Sequence, residues 1–444
     1  MNLAKPAVLA LVAAVISGCA SAGGVPERGP TTGQRARATS CCYQPDLQGW
    51  ARYAVAGGRA GEHAIARLRN AGPLGLEVLL DVHEAEAAHP GPALRSAIER
   101  VAAQRDAHVS RLYWYTDLET AKRVAQRDGK PILSLRLLGR LDEELSCANS
   151  RFFRTALYPD SDVSRRLREA FVLHWSSERP APKITIDFGD GRRLERTITG
   201  NSIHYVLDAD GRVVDALPGL YGPREFLERL TDAEAIEARV RRAPPEEREE
   251  ALRAWHRARI GALDDAWVRE LGPGAAPLAP IVAAGFPAPP ARLAVPIAVS
   301  KAMVEAPVVQ AIQGPVLPLP SPANGAAWQA FVSRAAEREH LDANSRALVR
   351  AKMAPTDDAG FARRLGAFER AMAEDTVRNE LTLHRIVHEW LAMSPAPRDL
   401  ETLDARVYAS LFLTPRSDPW LGLMGDAYSG IEGDGVVVQR GARP

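Results

Sequence analysis

The chain of 444 residues is short of four things, and each shortage closes off a class of function. Aromatic residues are only 6%, and no basic run is interleaved with them, so the stacking-and-phosphate pattern of a nucleic-acid binder is missing. Charge of one sign is not in excess: 56 Lys and Arg face 55 Asp and Glu, for a net charge of +1. Cysteine is scarce, with four residues, too few for a fold stapled by disulfides. An unbroken apolar run that could cross a bilayer is also lacking. The uncharged stretch from Gly274 to Ala291 is interrupted by Pro277, Pro280, Pro287, Pro289 and Pro290, each of which removes a helix hydrogen bond. What remains is 46% hydrophobic and 25% charged, the composition of a globular protein long enough for two to four domains.

The first residues have a definite pattern. Lys5 precedes an apolar stretch from Pro6 to Ile16, and Ser17-Gly18-Cys19 follows. A positive start, an apolar core of about a dozen residues and small residues at its end read as a secretory signal. The core falls short of the ~20 residues a spanning helix needs. Ile16-Ser17-Gly18-Cys19 resembles the bacterial lipobox. That resemblance implies cleavage before Cys19, acylation of Cys19 and attachment to the membrane through its lipid. At ~0.8 kcal/mol per buried CH₂, several acyl chains hold permanently. Ala20 after the cysteine, by analogy with such lipoproteins, favours the outer membrane, with the chain facing the periplasm.

The rest divides by pattern. Residues 1–18 are the signal peptide and 19–45 a small-residue tether. Residues 46–110 read as short amphipathic helices, broken at Gly72-Pro73. Residues 111–232 alternate helix and strand: a helix from Leu112 to Asp128, a strand Ile132–Leu138, helices Ala148–Leu157 and Asp162–Glu169, and a strand from Phe171 to Trp175. Two hairpins follow, turning at Gly189-Asp190-Gly191 and Ala209-Asp210-Gly211, and then a helix from Tyr221. A βαβ half and a ββα half predict one α/β domain with a mixed sheet. Thr231 and Glu234 have the spacing of a capping box that opens a helical extension, 233–271. Residues 272–322 hold about a dozen of the 33 prolines and read as a linker. A C-terminal helical domain, 323–424, is dominated by a long amphipathic run from Asp357 to Leu391, and 425–444 is a tail.

The α/β block resembles the thioredoxin-like superfamily, in particular bacterial members that open with Gly-Lys-Pro. Gly129-Lys130-Pro131 leads into the first strand, Cys147 precedes Asp160-Ser161-Asp162-Val163 at the family's interval, and Leu207-Asp208-Ala209-Asp210-Gly211-Arg212 matches the late hairpin. The match covers roughly Tyr113 to Leu230. The resemblance implies an α/β thioredoxin-like domain, with a mixed sheet, flanked by N-terminal and C-terminal all-α regions. It also places Cys147 where the family has its attacking cysteine. The motif departs from the family in three ways. Ser150 stands where the resolving cysteine belongs, Ser202 stands where the family has a cis-proline, and Gly139–Ser146 is an insertion. Without proline a cis bond at Ser202 would cost ~2.5–4 kcal/mol, so a trans bond is expected.

A cysteine at a helix N-terminus gains thiolate character, which Arg151 and Arg154 would reinforce and Asp142, Glu143 and Glu144 oppose. With Ser150 in the second position, Cys147 could form a mixed disulfide but could not resolve it from within the motif. In an oxidising envelope Cys41 or Cys42 could pair with Cys147. His384 and His388 lie four apart on the long helix, with Glu380 one turn earlier, a spacing that can hold a metal. Their apolar neighbours and the lack of a third nearby His or Cys in sequence favour packing histidines, so no metal and no cofactor is expected. Two functions stand: a lipid-anchored envelope protein with a single-thiol role at Cys147, or a non-catalytic lipoprotein whose domains form a scaffold for other envelope proteins.

Overall fold

A computed structural model of the protein describes residues 46–197, 200–272, 325–419 and 421. The expected signal, tether, proline-rich linker and tail, and with them Cys19, Cys41 and Cys42, lie outside these residues. Among the described residues no helix is long and apolar enough to cross a membrane.

The N-terminal helices are α1 (Leu47–Ala54), α2 (Gly58–Asn70), α3 (Pro73–Val82), α4 (Glu84–Ala87), α5 (Pro92–Ala102) and α6 (Ala107–Ser110). They surround their own core of Leu68, Leu76, Leu79, Leu94, Ile98 and Val101. The break falls at Gly72-Pro73, where Gly72 has φ +70° and proline occupies the first turn of α3. α3 meets α2 closely at Gly75, where a Cβ would lie 1.9 Å from the Leu68 carbonyl oxygen.

The sheet follows α7 (Leu118–Asp128): β1 (Ile132–Leu138), α8 (Ala148–Phe152) running into a π-helical turn (Phe153–Leu157), α9 (Ser161–Ala170) and β2 (Val172–Arg179). Then come β3 (Lys183–Asp187), β4 (Arg193–Thr197), β5 (Ser202–Leu207) and β6 (Val213–Pro218). The main sheet has the order β2-β1-β5-β6, with β1 parallel to β2, antiparallel to β5, and β5 antiparallel to β6. The fold is therefore mixed α/β, as the pattern of elements predicts. β1, β5 and β6 are buried along their whole length, so both faces of the sheet are covered. The first hairpin, β3–β4, forms a separate two-stranded sheet.

Two local expectations change. Leu112–Tyr115 is extended, and Tyr115 pairs along β2, its N–H donating to Leu173 O (2.8 Å) and its carbonyl accepting from Trp175 N (3.0 Å). The helix waits for Asp117, whose carboxylate caps Thr120 N at 2.8 Å. Thr231 is not a cap: it lies inside α10 (Pro223–Arg242), and its hydroxyl donates back to Leu227 O (2.8 Å). The chain breaks instead at Pro244, before α11 (Pro245–Leu271).

The C-terminal helices are α12 (Gly325–Ala336), α13 (Ala343–Met353), α14 (Asp358–Arg378), a π-helical turn (Asn379–His384), α15 (Arg385–Ala392) and α16 (Leu400–Arg406), which continues as a π-helical turn (Val407–Leu411). They share the core of the sheet. Leu383, Val387, Leu391, Leu403, Val407 and Leu411 belong to the same apolar cluster as Ile132, Leu135, Tyr205 and Val206. The segment between α15 and α16 also meets the start of β6, where Val213 N donates to Arg398 O at 2.9 Å.

Candidate functional site

The helix N-terminus expected at Cys147 is there. β1 ends, Gly139 takes φ +76°, the insertion loops out, and Cys147 caps α8 with Sγ 3.4 Å from Ser150 N. The thiol is 0% exposed, and Ser146 and Ser150 are equally buried. Arg154, Glu144 and Asp142, three of the charges expected to tune it, are engaged elsewhere. Arg154, itself buried, pairs with Asp106 Oδ2 at 2.7 Å and donates to Glu144 O at 2.8 Å. Burial raises the carboxyl of Glu144, but Arg154 and Lys352 outweigh it and bring it down to about 2. Asp142 pairs with Arg140.

The segment that seals this end comes from far along the chain. Asn149 Nδ2 donates to Ser202 Oγ (2.9 Å), beside Asn201, whose side-chain amide donates to Thr414 Oγ1 (2.7 Å) and whose carbonyl accepts from Tyr408 OH (3.4 Å). The Asn201–Ser202 bond is trans, since the one cis peptide among the described residues is Ser394-Pro395. On the other side, the Tyr158 hydroxyl pairs with His204 Nε2 at 2.7 Å. Burial holds His204 neutral, down to about 3, and burial with the neighbouring Cys147 pushes Tyr158 well above its ordinary value.

The expected pair His384 and His388 sits in a second buried array. Their rings stack with centroids 4.1 Å apart. His384 Nδ1 lies 2.7 Å from Glu380 Oε2, and its Nε2 lies 3.1 Å from Asp215 Oδ1 on β6. A third histidine, remote in sequence, completes the group. His256 Nδ1 is 2.9 Å from His388 Nδ1, and its Nε2 is 3.1 Å from Val214 O. Glu380 is held by Arg229 (3.2 Å), Arg259 (3.0 Å) and the Tyr221 hydroxyl (3.4 Å). The π-helical turn carries both Glu380 and His384, a local irregularity frequent where side chains are aimed for a purpose.

Burial and charge set opposite states within this group. Burial pulls His384 down, but Glu380 and Asp215 more than restore it, to about 10. Burial raises Asp215, yet His384 and His388 bring it to about 2. Burial, with Asp215 opposing it and Arg398 and His384 adding to it, lowers His256 to about 3; burial and the charge on His384 hold His388 well below its ordinary value. Ligand atoms of Asp215, His384 and His388 all lie within 4.8 Å of one another, which makes them the metal-capable group among the described residues.

Sequence spacing finds Glu380, His384 and His388. It misses Asp215 and His256, although one signal was present: an aspartate between Val213-Val214 and Ala216-Leu217 on a strand buried on both faces needs a partner. No family model, no curated protein and no solved structure matches this chain.

Proposed function

We propose that the protein is a lipid-anchored component of the bacterial cell envelope in which a thioredoxin-like sheet serves as a scaffold for docked helices and not as a thiol catalyst. The strand order β2-β1-β5-β6 with its one parallel pair supports the thioredoxin-like reading, as does the helix that begins at Cys147 on the end of β1. The lipobox-like Ile16-Ser17-Gly18-Cys19 supports the anchor. The observation that carries the non-catalytic reading is the thiol at 0% exposure, at the head of the helix whose Asn149 bonds Ser202 beside Asn201. A nucleophile must reach a disulfide sulfur, and this one has no exposed surface. The outward surfaces of the two helical regions are left to contact envelope partners.

A monothiol enzyme with Ser150 in the second position would accumulate its mixed disulfide, so cells quenched in acid and then blocked with a thiol reagent provide the test. The wild-type chain is expected to run on a non-reducing gel without any Cys147-dependent adduct. An adduct that disappears in Cys147→Ala would overturn the scaffold reading and restore the redox one.

A further inference from the structure

The array around Asp215 is organised as metal sites are, with His384 backed by a second group. His384 presents Nε2 to the centre while its Nδ1 is held by Glu380, and Glu380 is fixed by two arginines and a tyrosine. Beside them, His256 Nδ1 faces His388 Nδ1, and its Nε2 faces both Val214 O (3.1 Å) and Arg398 Nη1 (3.4 Å). Carboxylate–histidine pairs such as Glu380–His384 fix the tautomer and orientation of metal-binding imidazoles.

The separations agree. Two ligands bound tetrahedrally at the ~2.0–2.1 Å of a zinc–nitrogen or zinc–oxygen bond lie about 3.3 Å apart. Here His384 Nε2 to Asp215 Oδ1 is 3.1 Å, His388 Nδ1 to Asp215 Oδ1 is 3.7 Å, and ligand atoms of the three residues all lie within 4.8 Å of one another. His388 Nε2 is buried without a hydrogen-bond partner, so no interaction on that side fixes the ring against turning its Nδ1 to a central ion.

We propose that Asp215, His384 and His388 bind one divalent transition-metal ion of the zinc class, with His256 packed beside them. Two imidazoles and one carboxylate, with no thiolate, suit zinc and its nitrogen-loving neighbours better than calcium or magnesium. None of the three, nor His256, is more than 1% exposed, which keeps a substrate from the centre, so the ion is structural. It would tie β6, the π-helical turn and α15 at one point and pin the C-terminal helices to the sheet.

The test uses the full chain, stripped with a chelator and then exposed to Zn²⁺ or Co²⁺. The expected result is one zinc per chain retained through gel filtration, a higher melting temperature with zinc than without, and a visible cobalt absorption of four-coordinate type. Glu380→Gln is expected to weaken binding about 10- to 100-fold while keeping the stoichiometry, because only the support of His384 changes. Absence of stoichiometric metal and of any shift in melting temperature in the unaltered chain would overturn the proposal. So would retention of the ion by His384→Gln/His388→Gln, which would place it elsewhere. Should that double variant fail to fold, the unaltered chain still decides.

Discussion

Arg136→Leu is expected to lower the free energy of unfolding by about 3 kcal/mol. Arg136 lies in the middle of β1, facing the C-terminal segment, with its side chain 8% exposed. It pairs with Glu178 on β2 (3.3 Å) and with Glu401 of α16. Asp404, one turn further on, accepts from Tyr205 OH (3.0 Å) and pairs with Arg416 (3.1 Å), which also reaches Glu178 (2.6 Å). Burial, and then the neighbouring Glu178, hold the carboxyl of Asp404 above the ordinary range. Deleting one member of a buried ion pair costs ~3–5 kcal/mol because the other charge is left without compensation. The lower end applies here, since Arg416 still reaches both carboxylates. Denaturant titration of the two proteins checks this, and a loss below about 1 kcal/mol would contradict it. The effect bears on more than stability, because this network joins the first strand of the sheet to the segment that covers Cys147.

Asp375→Asn is expected to change the pH dependence of stability strongly. Asp375 is buried in α14, and burial, with Glu374 adding and Arg378 opposing, raises its carboxyl from 3.8 to about 8. The folded state therefore holds this proton more tightly than the unfolded chain. The stabilisation is fully present below pH ~4 and is lost as pH rises through about 8, at ~1.4 kcal/mol per pH unit for one proton. His174 and His204, both lowered to about 3 by burial, act in the other direction: their contribution is present above ~6.5 and is lost as pH falls through about 3. Both histidines are common to the two proteins and cancel in the difference. Unfolding free energies from pH 4 to 9 should show the asparagine variant gaining steadily on the wild type until about pH 8 and then running parallel to it. A constant difference across that range would contradict the assignment.

The elements whose period matches their burial were legible in the sequence. Ile132–Leu138 reads as a buried strand and forms one, and the turns at Gly189 and Gly211 fall where positive φ is required. Leu112–Tyr115 misled because an apolar stretch next to a helix shares its composition, and only pairing with β2 distinguishes it. Domain division was the least legible feature. The faces of α14 and α15 have the pattern of an independent bundle, and nothing local in Leu383, Val387 or Leu403 says that their partners are Tyr205 and Val206. The candidate sites follow the same rule. The spacing of Glu380, His384 and His388 is local and could be read, whereas Asp215 and His256 join them through tertiary packing. The burial of Cys147 is tertiary too, since Tyr408 and Thr414 reach Asn201 from more than two hundred residues away.

The scaffold reading requires the helices after residue 325 to close over the sheet and shut the sulfur in. The rate at which that sulfur is alkylated, followed against denaturant in a chain with Cys19, Cys41 and Cys42 replaced by serine, tests it most directly. Access only through unfolding predicts a rate at least about a thousand-fold below that of the unfolded chain, rising with the global transition. A rate in native buffer within about tenfold of the unfolded chain would contradict it.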